Sequence, residues 1–117
     1  MELSELREGE FDEKQKEISA LVFFYTSWCK LCDAVREMLQ ELQAESIASI
    51  EFYQVDYDAC KELLVRYDII GVPTVLALHC GELVDYRAGL RDRAHYTEMM
   101  EALLRVRKYE ERNAQAD

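Results

Sequence analysis

The sequence predicts an α/β fold in which a central mixed sheet of four to five strands is flanked by helices on both faces. The first observation is a continuous apolar run at residues 20–25, which is typical of a strand buried on both faces. The second is the strand–helix–strand order of the first half, which predicts a parallel pair. The third is a pair of strands around a tight turn in the second half, followed by a helix.

The elements of the first half follow from the spacing of apolar side chains. Residues 11–18 are polar and predict a short exposed helix before the first strand. Apolar residues recur at helical spacing from Leu31 to Leu42, which predicts an amphipathic helix of about four turns. Residues 50–55 predict the second strand. Residues 59–67 predict a shorter helix, for which the preceding Asp58 is a candidate cap.

The second half predicts a hairpin and a final helix. Residues 75–79 and 82–87 are two strands on either side of Cys80-Gly81, a dipeptide that suits a type I′ turn. Asp92 is placed to cap the last helix. That helix directs an apolar stripe inward, formed by Tyr96, Met99, Met100 and Leu103.

Length and composition predict one domain spanning residues 1–117. A chain of 117 residues fits one compact unit, and half of its residues are apolar, which is enough for one core. The polar ends, residues 1–7 and 107–117, are expected to fray. Residues 3–6 offer a weak signal for an additional edge strand. We expect the protein to be a monomer.

The charge balance excludes two classes of partner. With 14 basic and 24 acidic side chains, the net charge is −10. Phosphate binding needs clustered Lys and Arg, so we expect no nucleic acid and no anionic membrane surface as a partner.

No targeting or membrane segment is predicted. Residues 1–20 are rich in acidic side chains and lack the apolar stretch of a signal peptide. The apolar run at residues 20–25 is far shorter than the ~20 residues that a membrane span requires. We therefore expect a cytoplasmic protein, in which cysteines are mostly reduced and are more often catalytic, metal-binding or incidental than structural.

The strongest chemical signal is the sequence Trp-Cys-Lys-Leu-Cys at residues 28–32. Cys29 follows a buried strand and begins a helix, where free N–H groups and the helix dipole favour the reactive thiolate. Cys32 lies one turn further, close enough to form a bond with Cys29. The predicted catalytic roles are Cys29 as the nucleophile that attacks a disulfide and Cys32 as the resolving thiol.

The four cysteines leave alternatives open. A zinc half-site is one, but a closed zinc site needs four ligands, and Cys60 and Cys80 each stand alone in the sequence. We therefore predict no metal site. Cys60 and Cys80 are interpreted as bystanders, with an exposed regulatory thiol at Cys80 as the alternative.

A second motif adds a family resemblance. The strand, the Trp-Cys-x-x-Cys motif and the helix, followed by Gly-Val-Pro-Thr at residues 71–74 before a strand, resemble the thioredoxin family over residues 20–104. The resemblance implies a thioredoxin fold and a thiol–disulfide oxidoreductase without a bound cofactor. It also implies protein disulfides as substrates and a thioredoxin-reductase-type electron donor.

The resemblance also assigns residues to the substrate site. It implies a cis peptide bond before Pro73, which faces the active-site cysteines. Val72 would then pair its backbone with an extended substrate peptide as an added strand. Trp28 would form the apolar rim of the same groove. Lys30, next to Cys29, is predicted to support the thiolate electrostatically.

Two departures from the family pattern affect the expected chemistry. Lys-Leu stands between the cysteines where thioredoxins proper carry Gly-Pro, so the redox potential cannot be transferred from the family. Phe23 and Phe52 occupy the positions of the family's buried Asp and its Lys partner, so both members of that pair are apolar. We predict that resolution by Cys32 is slower or has a different pH dependence.

Two other functions remain open from the sequence. One is an adaptor of the same fold, whose groove at Trp28 and Pro73 holds a partner without turnover. The other is a glutathione-linked, glutaredoxin-like enzyme, for which the sequence offers no signature beyond the shared fold.

Overall fold

The fold alternates strands and helices along the chain. A computed structural model describes residues 2–15, 18–46 and 49–115, and in these residues it contains five strands and four helices. In chain order they are β1 (Ser4–Glu5), α1 (Phe11–Gln15), β2 (Ser19–Tyr25), α2 (Lys30–Glu45), β3 (Ile50–Asp56), α3 (Lys61–Arg66), β4 (Thr74–His79), β5 (Glu82–Ala88) and α4 (Arg93–Gln115).

The strands form one mixed sheet in the order β1-β3-β2-β4-β5. β3 runs parallel to both β1 and β2, whereas β4 is antiparallel to β2 and to β5. β2 is the central strand, which explains its continuous apolar sequence. The prediction of a mixed sheet with a parallel pair followed by an antiparallel hairpin is confirmed.

Each face of the sheet carries its own core. On one face, α2 and α4 pack on the sheet through buried side chains that include Val35, Leu39, Tyr96, Met99 and Leu103. On the other face, α1 and α3 contribute Phe11 and Leu63, which belong to a cluster with Val22, Phe24 and Leu76. The prediction of helices on both faces is therefore confirmed.

The N-terminal segment packs against the sheet. Leu3 and Leu6 are buried on either side of the short strand β1, and the expected fraying of residues 1–7 stays a prediction. Helix α1 ends at Gln15, and its predicted extension through residues 16–17 lies outside the described residues. Phe11 is buried with its ring edge against Tyr67, so this helix is anchored and not simply exposed.

The C-terminal helix is longer than the sequence suggests. α4 continues to Gln115, and the fraying expected from residue 107 stays a prediction. Two contacts tie this half of the helix to the rest of the fold. Glu110 lies 2.7 Å from His79 Nε2 on β4, and Arg107 donates a hydrogen bond of 2.9 Å to the carbonyl of Ser49.

The turns and caps agree only partly with the sequence. Cys80 and Gly81 both have positive φ, 52° and 82°, as a type I′ turn requires. The proposed cap at Asp58 is wrong, because the residue that precedes α3 is Cys60. The N–H of Asp58 instead donates to the Asp56 carboxylate and closes the turn after β3.

None of the helices in the described residues combines the length and the apolar character needed to cross a membrane.

Candidate active site

The candidate site begins where strand β2 gives way to helix α2. β2 ends at Tyr25, and the N–H of Cys29 lies 3.4 Å from the Thr26 carbonyl in the connecting turn. Cys29 is the N-cap of α2, with extended backbone angles. Its Sγ accepts a hydrogen bond of 3.1 Å from the N–H of Cys32. The sulfur therefore takes the position that a capping oxygen occupies in many helices, where one of the free N–H groups of the first turn stabilises negative charge.

Cys29 and Cys32 are joined by a disulfide, and their Cα atoms lie 5.2 Å apart. The two cysteines differ in burial. Cys32 is completely buried in the core below α2, whereas Cys29 is only half-buried. Of the two sulfurs, Cys29 therefore belongs to the more accessible residue.

A cleft of about 470 Å³ lies beside Cys29, and we refer to it as the active-site cleft. One wall comes from the turn before α2 and from the first turn of that helix. The other wall comes from the loop between α3 and β4. The lining residues are Thr26, Trp28, Cys29, Lys30, Leu31, Tyr57, Ile70, Gly71 and Val72.

The structure brings together four of the residues that the sequence analysis assigned to the site: Trp28, Cys29, Lys30 and Val72 all line the active-site cleft. Trp28 is exposed at its edge. Pro73 is buried and follows Val72 through a cis peptide bond, but it lines a neighbouring cavity instead. Cys32 lies beneath the cleft and does not line it.

Sequence reasoning missed several residues of the cleft. Leu31 belongs to the apolar residues that predict α2, but its side chain is exposed in the cleft wall. Ile70 is almost fully exposed, and its position directly before the Gly-Val-Pro-Thr motif was the only signal available. Thr26 is buried, and its Oγ1 has no hydrogen-bond partner among the described residues.

The surroundings of Cys32 are apolar where the family pattern would place a charged pair. Phe23 and Phe52 are both buried in the same core cluster as Cys32. One cation lies against this cluster. The Arg36 guanidinium is 5.4 Å from the centre of the Phe23 ring and 5.0 Å from the centre of the Tyr25 ring, which are cation–π distances.

Arg36 is held in place by a polar network at the edge of the sheet. It pairs with Asp33 at 3.0 Å and donates to Gln54 at 3.1 Å. Gln54 and Tyr25 both donate to the Glu5 carboxylate. Burial, with the hydrogen bond to Glu5, raises the pKa of Tyr25 to about 12, so this hydroxyl stays protonated at neutral pH.

The charges next to the cysteines are exposed. Lys30 is the first residue of α2 and lies at the protein surface. Asp33 also faces solvent, and its pairing with Arg36 offsets the negative charge that it places beside Cys32. Support of the thiolate by Lys30 remains a prediction.

The other two cysteines differ in exposure. Cys60 is buried before α3, and burial raises the pKa of its thiol. Cys80 is exposed at the hairpin, with its Sγ 3.7 Å from His79 Nε2. Across the described ranges, no group of three or more His, Cys, Asp or Glu side chains is arranged to hold a metal ion.

The comparisons with known proteins agree with this geometry. A family model described as Thioredoxin matches residues 2–102. The chain belongs to the thioredoxin family. It is 32% identical to thioredoxin C-2 of Corynebacterium nephridii over 78 residues, which cover 67% of this chain and 72% of the relative.

Solved thioredoxins share its fold. Reduced Schistosoma mansoni thioredoxin pre-protein superposes with a TM-score of 0.75 at 29% identity, over 88% of this chain and 99% of the other. A mutant thioredoxin from Halobacterium salinarum NRC-1 gives 0.76 at 24% identity, over 87% and 90% of the two chains. The predicted family and thioredoxin fold are confirmed. Membership of the thioredoxin family and the Cys29–Cys32 disulfide support thiol–disulfide oxidoreductase chemistry.

Proposed function

We propose that this thioredoxin-family protein reduces protein disulfides by dithiol exchange, with Cys29 as nucleophile and Cys32 as resolving thiol. The observation that carries the proposal is the position of the disulfide. The half-buried Cys29 lines an open cleft at the N-terminus of α2, while its partner Cys32 is enclosed in the core. An incoming substrate sulfur would meet Cys29 first.

The reaction begins from the dithiol form and proceeds in two exchanges. The Cys29 thiolate attacks one sulfur of a substrate disulfide, forms a mixed disulfide and displaces the other substrate sulfur as a thiolate, which takes up a proton. The Cys32 thiol then loses its proton and attacks Cys29 Sγ, which releases the second substrate sulfur. Two electrons have passed to the substrate, and the Cys29–Cys32 disulfide remains.

The walls of the cleft, together with Pro73 of the neighbouring cavity, supply the substrate contacts in this proposal. Trp28 forms an apolar rim, and Val72 with Pro73 presents backbone to an extended peptide beside Cys29. Lys30, at the surface next to Cys29, supports the thiolate. The location of Trp28, Lys30 and Val72 in one cleft with Cys29 supports these roles.

The cellular setting is also part of the proposal. The protein would act as a single-domain monomer in the cytoplasm and would be reduced again by a thioredoxin-reductase-type donor. Its net charge of −10 favours substrates and donors with basic contact surfaces.

Turnover of insulin disulfides with dithiothreitol as electron source tests the reaction. We expect activity in the wild type, none in Cys29→Ser, and slower turnover in Cys32→Ser, because dithiothreitol must then resolve the mixed disulfide in place of Cys32. Cys80→Ser is the matched control, because it removes an exposed thiol outside the cleft, and we expect it to retain wild-type activity. Equal activity in wild type and Cys29→Ser would contradict the proposal.

An adaptor without turnover is the second candidate, and the exposed apolar side chains of Trp28 and Leu31 in the cleft favour it. Absence of disulfide reduction in the wild type would support this candidate.

The direction of electron flow is tested by the reduction potential of the Cys29–Cys32 pair. A reductant of the proposed kind requires a value of about −270 mV, whereas a value of about −120 mV would make the protein an oxidant.

A further inference from the structure

A second cavity adjoins the active-site cleft. It has a volume of about 470 Å³ and lies over β4 and β5, on the face of the sheet that carries α1 and α3. The two cavities share Ile70, Gly71 and Val72, so the loop between α3 and β4 forms a continuous boundary between them. A chain that occupies the cleft can therefore continue into the second cavity.

The second cavity is lined by apolar side chains that the fold leaves uncovered. Ile70 is 90% exposed, Tyr86 58% and Leu83 45%. Tyr86 and Leu83 lie on β5, the edge strand of the sheet. Exposed apolar side chains that lie together in this way indicate an interaction site, whereas single exposed apolar residues are common on any protein surface.

Acidic side chains lie at the end of the cavity away from Cys29. Asp68 lines the second cavity, and together with Glu82 it borders a shallower depression that continues beyond Leu83. Neither carboxylate forms an ion pair with another described residue. Arg66, which also borders the depression, is already engaged by Asp12 and Glu62. The local charge is therefore complementary to a basic side chain.

We infer that the second cavity binds a segment of the same substrate polypeptide whose disulfide reacts at Cys29. The segment carries a bulky apolar side chain for the surface formed by Ile70, Leu83 and Tyr86, and, further from the reacting cysteine, a Lys or Arg for Asp68 and Glu82. The inference rests on the proposed function and names the class of substrate that the site selects.

The charge of the whole chain favours this occupant over a second copy of the protein. Each copy carries a net charge of −10 and would bring like charge to Asp68 in the cavity and Glu82 beside it. A basic substrate segment meets no such repulsion.

The test uses single-cysteine peptides activated as mixed disulfides with 2-nitro-5-thiobenzoate. The reduced protein attacks the peptide sulfur, and the thiobenzoate that it releases is followed by absorbance. In one series, each peptide carries a Leu and, further from the cysteine, a Lys. The spacing between the cysteine and the Leu increases from peptide to peptide, and the Leu–Lys pair is placed either before or after the cysteine. The matched series carries Ser and Glu at the same positions. The measured quantity is the ratio of the second-order rate constants for each matched pair in a single turnover of the reduced protein, which cancels general changes in thiol reactivity.

We expect the best-placed Leu–Lys peptide to react at least about fivefold faster than its Ser–Glu partner in the wild type. Tyr86→Ser should reduce this ratio towards one. Glu82→Gln should reduce the part of the ratio that comes from the Lys side chain. The matched controls are Val65→Ser, a residue that is 84% exposed and lines neither cavity, and Glu101→Gln on α4. Both should keep the wild-type ratio.

Three results would overturn the inference. The first is a ratio near one in the wild type at every spacing. The second is a ratio that Tyr86→Ser and Val65→Ser change equally. The third is a concentration-dependent dimer in sedimentation that Tyr86→Ser abolishes, which would assign the cavity to a second copy. If the wild type does not cleave even the small disulfide 5,5′-dithiobis(2-nitrobenzoate), the proposed function itself fails.

Discussion

Phe23 is the residue at which this site departs most from the thioredoxin family pattern. The family resemblance places an acidic side chain there, but in this chain Phe23 is completely buried in the same cluster as Cys32 and Phe52. Apolar surroundings make a thiol harder to ionise. The second exchange, in which Cys32 must lose its proton, is therefore expected to reach its full rate at a higher pH than an exchange assisted by a buried carboxylate.

We predict that Phe23→Asp lets the second exchange reach its plateau at a lower pH, because the new carboxylate can accept the proton of Cys32. The variant should also lose on the order of 3 kcal/mol of unfolding free energy through burial of an unpaired polar group. Stopped-flow measurement of peptide release from the mixed disulfide across pH 5–9 reports the change.

Two variants separate proton transfer from simple destabilisation. Phe23→Asn introduces a similar buried polar group that cannot carry the proton. Phe24→Asp places the carboxyl on the same strand but in the core of the opposite face. Neither variant should shift the pH profile. A Phe23→Asp profile that coincides with that of the wild type would contradict the predicted proton transfer from Cys32 to the new carboxylate.

The remaining cysteines should differ sharply in reactivity. Burial, followed by nearby acidic groups, raises the pKa of Cys60, so at neutral pH it stays in the unreactive protonated form, whereas Cys80 is exposed. After reduction, alkylation with iodoacetamide at pH 7.5 and peptide mapping should find modified Cys80 within minutes and modified Cys60 only in urea. Equal rates for the two thiols would contradict the structure.

Among the residues that line the active-site cleft, the sequence identifies those with distinctive chemistry. It misses those that are part of the cleft only because the fold places them there. Cys29 and Trp28 belong to a motif with a clear chemical meaning, so they could be assigned before the structure. Thr26 and Ile70 have no such motif. Their importance comes from the way in which the turn before α2 and the loop after α3 meet, which no local pattern records.

Among the elements, the β4–β5 hairpin depends on backbone conformation. Gly81 has a φ of 82°, and a side chain built there meets no atom within 4 Å. Gly81→Ala should therefore cost about 1–2 kcal/mol through the left-handed backbone alone. Gly71→Ala is the matched control, since it also has open space and no positive φ, and it should change stability little. Urea unfolding measures both variants, and equal losses would contradict the proposed cause.

Elements with strong internal patterns were predicted well, and elements that depend on distant contacts were not. The apolar run of β2 and the periodic side chains of α2 define those elements locally. The last turns of α4 are polar and would fray alone, but Glu110 meets His79 and Arg107 meets the Ser49 carbonyl. These partners are far away in sequence, so the length of α4 could not be foreseen.

On the scale of the whole molecule, the net charge of −10 should govern which proteins react fastest. We predict that kcat/KM for a strongly basic disulfide protein falls several-fold between about 20 mM and 300 mM salt, because screening weakens attraction over distances beyond the Debye length. The rate with an uncharged small disulfide should change little. A basic substrate that is insensitive to salt would show that the acidic surface has no role in selection.

The central claim is that Cys29 is the sulfur that first bonds to substrate. The most direct measurement is mass spectrometry of the Cys32→Ser variant after reaction with a disulfide-containing protein, with Cys29→Ser as its counterpart. We predict that Cys32→Ser accumulates a mixed disulfide at Cys29 that dithiothreitol releases, and that Cys29→Ser accumulates none. A mixed disulfide at Cys32 in Cys29→Ser, with no adduct at Cys29 in Cys32→Ser, would contradict the account.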